Sequence, residues 1–271
     1  MRSVLFVPLA LTCALTVPAA AQTGSESNLV LTILGGVVTG HALWTVGKQP
    51  LTVLGDPSKY DTLRLSRQVG SSLMLGAAAT YFPSPHVGLH AEVSYLGLPV
   101  DSNCEGVYFH PDSAGGVDLH RNEQMCNDIK GQAGFGGAIS VFGGVTLRAA
   151  TRRTLSPYAR GSIGFVNQPR SLIEMEGAFV DATGVQVRQI LSDPKPRSTS
   201  VMLGAAVGFT SPLGTGYQFR FEVRDVVTSL DRLVGPANAL GIGPTATRAY
   251  HHFALTLGID VVLEKKRGRR Y

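Results

Sequence analysis

Phe253-Ala-Leu-Thr-Leu-Gly-Ile-Asp-Val-Val-Leu263 decides how the rest of the chain is read. Its odd positions, Phe253, Leu255, Leu257, Ile259, Val261 and Leu263, are all large and apolar, and its even positions are Ala, Thr, Gly, Asp and Val. Successive side chains of a strand point to opposite faces, so a period of two marks a strand with two unlike surfaces. Tyr217–Arg224 repeats the pattern: Tyr217, Phe219, Phe221 and Val223 alternate with Gln218, Arg220, Glu222 and Arg224. Val201–Thr210 and Ala133–Leu147 carry it with mostly small residues on the second face. Val69–Tyr81 and Val87–Leu98 are looser and Tyr158–Val166 is weaker still, while Asn28–Leu43 is apolar and β-branched without clean alternation.

Eight strands result, and their connections alternate in length. Short ones fall at 83–86, 150–156 and 211–216; long polar ones fall at about 44–67, 99–130, 167–198 and 227–249. An up-and-down antiparallel sheet with its short turns at one end has this anatomy. The face opposite the apolar one holds chiefly Gly, Ala, Ser and Thr rather than the Lys and Glu of a solvated surface. The apolar face is therefore expected outside, in lipid, and the small residues inside a narrow barrel. Composition agrees. Of 271 residues, 44% are hydrophobic and only 16% charged, with 32 glycines and a mean hydropathy of +0.13. The usual charged share is about 25%. After residue 21 no apolar run approaches the ~18 residues that a spanning helix needs, which excludes a helical membrane protein.

The expected fold is thus all-β: a transmembrane antiparallel up-and-down β-barrel of eight strands, with short periplasmic turns and long extracellular loops. This register sends Glu92, Arg220, Glu222, Arg224 and Asp260 inward with His90, and Arg160 joins them if its strand faces the same way. Charges inside a narrow barrel need partners, so a salt-bridge network plugging the lumen is expected; a selective channel lining is the alternative. Tyr81, Tyr158, Phe209 and Tyr217 beside the short turns, and Tyr95, Phe165, Tyr250 and Phe253 nearer the long loops, are expected to form two interfacial girdles.

The ends and the cysteines read separately. Arg2, the apolar run Val4–Val17 and Ala19-Ala20-Ala21 make residues 1–21 a secretory signal peptide, cleaved between Ala21 and Gln22. Residues 22–263 form the barrel, and 264–271 a basic tail with five Lys or Arg and one Glu. Arg2 and that tail account for the whole net charge of +5, so the body is neutral and nucleic acid is not an expected partner. The tail either contacts anionic headgroups or is simply solvated. Cys104 and Cys126 lie in one polar stretch, and in an oxidising compartment such a pair forms a disulfide. His110 and His120 lie between them, but the spacing fits no zinc pattern.

The chain resembles the eight-stranded outer-membrane barrels of the OmpA and OmpX transmembrane-domain type. The resemblance rests on Gly131–Gly144, Pro157–Phe165, Tyr217–Asp225 and Phe253–Leu263, and extends over essentially the whole mature chain. It implies a monomer in the outer membrane, in contact with its lipid and lipopolysaccharide, and possible surface ligands through the loops. The family ends its last strand on an aromatic at the chain terminus; here a basic tail follows Leu263, and there is no room for a peptidoglycan-binding domain.

Motifs for chemistry fail. Gly134-Phe-Gly136-Gly-Ala-Ile139 lacks the third glycine of a dinucleotide loop, and Gly70-Ser-Ser72-Leu-Met74 lacks the last glycine of a nucleophile elbow. The His-x-Ser of the barrel lipid A deacylases is absent, because Ala254 follows His252 and Phe253 follows His251. Asp225, Asp231, His251 and His252 gather near one rim, as in barrel proteases, but with too few strands. No enzyme site, cofactor or metal is expected. The expected role is structural or one of surface contact, with a small pore or a lipid-modifying enzyme as rivals. Loop residues available for contact include Tyr60, Tyr108, Phe109 and Phe179. A hidden hairpin is expected, if anywhere, at Thr183–Leu191.

Overall fold

The computed structural model describes residues 28–53, 56–110, 121–149, 154–168, 171–181, 183–196 and 199–263. The signal peptide with its Ala21/Gln22 junction, His120 and the basic tail lie outside them. The described strands are β1 (Asn28–Val38), β2 (His41–Val53), β3 (Asp56–Val69), β4 (Ser72–Phe82), β5 (Val87–Tyr108), β6 (Ala133–Arg148), β7 (Ser156–Asn167), β8 (Met175–Asp181), β9 (Gly184–Leu191), β10 (Thr199–Gly214), β11 (Tyr217–Leu233) and β12 (Thr245–Leu263), and one helix, α1 (Arg121–Gly131), precedes β6.

Eight strands pair in a ring, in the order β1, β4, β5, β6, β7, β10, β11, β12 and back to β1, with every neighbour antiparallel. The fold is the all-β, up-and-down, eight-stranded architecture of outer-membrane barrels. Alternation sets its two surfaces. Ile33, Leu73, Leu75 and Ile163 are 75%, 72%, 65% and 59% exposed on the outside, with comparable residues on all eight strands. Soluble monomers rarely expose contiguous apolar patches above a few hundred Å². A belt on every strand suits hydrocarbon.

Two of the girdle residues sit elsewhere. Tyr158 and Tyr250 are buried inside the ring, while Tyr81, Tyr95, Phe165, Tyr217 and Phe253 remain outside and Phe209 is half-buried against Phe221. Tyr158 shares the face of Arg160 two residues on, so both turn inward together. Gly208 lies opposite Tyr158 in the ladder, and a Cβ there would come within 2.9 Å of the tyrosine ring. The missing side chain makes room for the ring.

Above the long-loop end the chain builds a second layer. The stretch between β1 and β4 is itself a hairpin, β2 against β3, and β3 pairs on with Val100–Tyr108 of β5. Between β7 and β10 lies a separate hairpin, β8 against β9, whose second strand falls at the place expected for hidden strands while the first lies before it. The helix α1 was not foreseen. It packs on β8 and on the upper part of β5. Asn122, Met125, Cys126 and Ile129 form its buried stripe, spaced as one helical face requires. Cys104 and Cys126 are joined by a disulfide that ties α1 to β5. Trp44, Leu63, Leu65, Met175, Phe179 and Leu191 belong to the core that holds this crown together. Phe179 is therefore a core residue and not a contact surface.

Polar ties hold the crown. Asp61 accepts from Asn122 Nδ2 and from the His110 amide, each at 2.7 Å. Arg188 of β9 donates to the Thr52 carbonyl and hydroxyl of β2 at 3.2 and 2.7 Å. Gln49 exchanges two hydrogen bonds with the Ala237 backbone, at 2.7 and 3.2 Å.

Candidate functional site

The lower interior, toward the short turns, is filled by charge. Glu92 of β5, Arg160 of β7, Arg220, Glu222 and Arg224 of β11 and Asp260 of β12 are all buried, at most 6% exposed. Arg220 grips Asp260 with two bonds of 2.9 Å, and Thr32 Oγ1 donates to the same carboxylate at 2.7 Å. Arg224 reaches Glu92 at 2.6 Å and Glu222 at 2.8 Å. Arg160 joins the same two carboxylates, meeting Glu92 at 3.1 Å and pairing with Glu222. Tyr158 donates its hydroxyl proton to Glu222 at 2.8 Å, and Arg220 lies over its ring. Three guanidinium groups thus meet three carboxylates in one crossing network. Buried ions tolerate low dielectric only with partners of this quality. His90, also buried, stands beside the network.

Above Arg224 the interior changes character. A cavity of about 50 Å³ lies there, walled by Val38, Met74, Leu96, Phe142, Met202 and Val226. A second, larger space opens to one side. β7 ends at Asn167, opposite Ile139, so, among the described residues, positions 133–138 of β6 pair with β5 alone and the ring is lower on that side. The space beside this overhang measures about 500 Å³, and its wall includes Arg67, Ser102, Leu98, Leu172, Glu174 and Met175. Leu98, Gln168 and Leu172 border both spaces.

Arg67 donates to Ser102 Oγ through Nε and Nη2, at 3.3 and 3.2 Å. Burial lowers its guanidinium to about 10, with Glu174 working in the opposite direction, so it stays charged at neutral pH. No carboxylate among the described residues lies within ion-pair distance of it. This arginine was not singled out from the sequence: it lies in a stretch whose strands carry bulges, where alternation gives no warning.

The rim histidines part company. His251 points outward and pairs with Asp225 at 2.7 Å, while His252 points inward with its ring edge-on to His41 at 4.5 Å. Adjacent strand residues take opposite faces, so they make no common site. Among the described residues no group of three or more His, Cys, Asp or Glu is arranged to hold a metal.

Outside the crown, Val180 is directly opposite Val185 in the β8–β9 hairpin, and Val187 follows on the same face. They are 59%, 70% and 64% exposed. Among the described residues β9 pairs only with β8.

No protein-family model matches the sequence, and no curated protein does. Among solved structures the chain is similar to Neisserial surface protein A, at 10% identity and a TM-score of 0.40, over 88% of this chain and 99% of that one. It is also similar to the outer-membrane protein OprG from Pseudomonas aeruginosa, at 12% identity and a TM-score of 0.46, over 89% and 97%. The outer-membrane protein AlkL in lipid bilayers matches at 16% identity and a TM-score of 0.45, over 93% and 97%.

Proposed function

We propose that the protein is a non-enzymatic, monomeric outer-membrane barrel that does not conduct and that acts at the cell surface through its folded crown. In this reading residues 1–21 direct export and are removed between Ala21 and Gln22. Lipid and lipopolysaccharide surround the apolar belt, and the ion network plugs the lumen. The observation that carries the proposal is the exposed valine face of the β8–β9 hairpin beside a strand edge that no other described strand shares. Such a face and edge are what a partner protein uses to add a strand, and natural edges without a partner are normally blunted.

The test uses cells displaying the full chain, and cells in which residues 175–191 are replaced by a short Gly-Ser linker. Both barrels are expected to show the heat-dependent gel shift of a folded barrel, and only the intact crown to support adhesion to protein-coated surfaces. Equal adhesion by the two forms overturns the proposal. In planar bilayers the intact protein is expected to give no discrete current steps. Regular steps that change in Arg220→Ala would instead establish a pore.

A further inference from the structure

The interior cavity is too small to be a ligand site: about 50 Å³ holds a few waters, whereas a benzene-sized guest needs about 150 Å³. The space beside the β6 overhang, at about 500 Å³, falls within the range of roughly 300–1,000 Å³ typical of small-molecule sites. Its wall has one cationic patch, Arg67 beside Ser102, over an apolar floor of Leu98, Leu172 and Met175. Across the space stands Glu174, which is exposed and already receives a hydrogen bond from Gln189 at 2.8 Å. Gln132, Gln168, Pro196 and a second exposed acid, Glu176, complete the wall with the glycines of the overhang, where a Cβ added at Gly134 would meet only the Val100 carbonyl, at 3.6 Å.

We infer that this vestibule binds a small organic anion with an apolar body, its carboxylate or phosphate head on Arg67 and its body against Leu98, Leu172 and Met175. The guanidinium fork matches such a head in two hydrogen bonds and is only part-occupied by the neutral Ser102 hydroxyl. A part-buried cation facing no carboxylate of the described residues at contact distance gains from an incoming anion what a salt-bridged one would not. The same chemistry is offered by a free metabolite and by the head of an outer-leaflet lipid reaching in at the low side of the ring.

The chain carries its own reporter. Its single tryptophan, Trp44, donates to the Leu172 carbonyl at 3.0 Å, and Leu172 lines the vestibule. The experiment follows Trp44 emission of the full chain in nanodiscs of zwitterionic lipid, titrated with hexanoate, with hexanol and with inorganic phosphate. Hexanoate is expected to give a saturable change. Arg67→Met should weaken its binding by roughly tenfold or more, with hexanol binding unchanged, and Arg67→Lys should recover part of the loss. Glu174→Gln should tighten hexanoate roughly two- to threefold by removing a repelling charge. Gly134→Leu should block the site while leaving Arg67 in place. A response absent with hexanoate but produced by adding phosphatidylglycerol to the disc, and still lost in Arg67→Met, assigns the anion to lipid. Hexanoate binding indifferent to Arg67, or no Arg67-dependent response to either anion, overturns the inference. The heat-dependent gel shift of each variant confirms that the barrel is folded.

Discussion

Below Arg224 the barrel is filled with ions; above it, with Val, Leu, Met and Phe. The same strands line both halves. β11 supplies Arg220, Glu222 and Arg224 below and Val226 and Leu230 above, all on its inward face. The difference teaches that alternation fixes where a side chain points, not how the space is filled. The ionic half is specific: each acid is held by named donors, and the network crosses from β5 and β7 to β11 and β12. The apolar half packs less completely and leaves a cavity.

Removing one ion should break the comparison most sharply. Glu222 receives Arg160, Arg224 and Tyr158, so Glu222→Ala leaves several buried donors without an acceptor. A loss of about 3–5 kcal/mol is expected, read as a markedly lower temperature for the barrel's gel shift in SDS. Phe142→Ala, in the apolar half, is expected to cost less, about 3 kcal/mol, because Phe142 already borders empty space. If the two variants melt together, the halves are energetically alike and the contrast fails. Breaking the Cys104–Cys126 bond tests whether crown and barrel are separable. Its loop of 22 residues corresponds to roughly 3 kcal/mol, expected as faster proteolysis and hydrogen exchange of α1 with the gel-shift temperature unchanged.

The smallest effect concerns pH. The Asp181 carboxylate accepts from the Thr183 amide at 2.8 Å and hydroxyl at 2.6 Å, and these bonds hold its pKa below the usual carboxylate range. A depressed folded pKa means the contribution is present above the unfolded value and lost as pH falls through the folded one. The amides of the β8–β9 turn should therefore keep the same protection, with exchange rates corrected for their intrinsic pH dependence, from neutral pH to about pH 5 and lose it only in stronger acid. Asp181→Ala should show the loosened behaviour at every pH.

The eight-strand ring was legible because its clearest runs, Tyr217–Arg224 and Phe253–Leu263, alternate without a break, and the looser runs fall between connections that alternate short and long. The crown was not. In β2 the register slips between Ala42 and Trp44 and again between Val46 and Gln49, so Leu43 and Trp44 are both buried and period two fails. The helix did leave a mark, since Asn122, Met125, Cys126 and Ile129 stand at helical spacing. It is short and mostly polar, and its burial depends on strands distant in sequence. Tyr158 was legible in principle, for a strand that sends Arg160 inward sends Tyr158 with it. Arg67 was not, because its importance lies in a carboxylate it lacks, which only the assembled wall reveals.

The seam between β1 and β12 bears on the order of assembly. It joins the first strand of the ring to the last along ten paired positions, and its inward hydrogen bond, Thr32 to Asp260, spans 228 residues. Contacts that distant form slowly, because the chain between them must first be ordered. Until β12 arrives, β1 and β11 are open edges of an unfinished sheet, each a template for pairing with another molecule. The seam is therefore expected to be the last joint made, and the step at which a nascent chain is most exposed to aggregation.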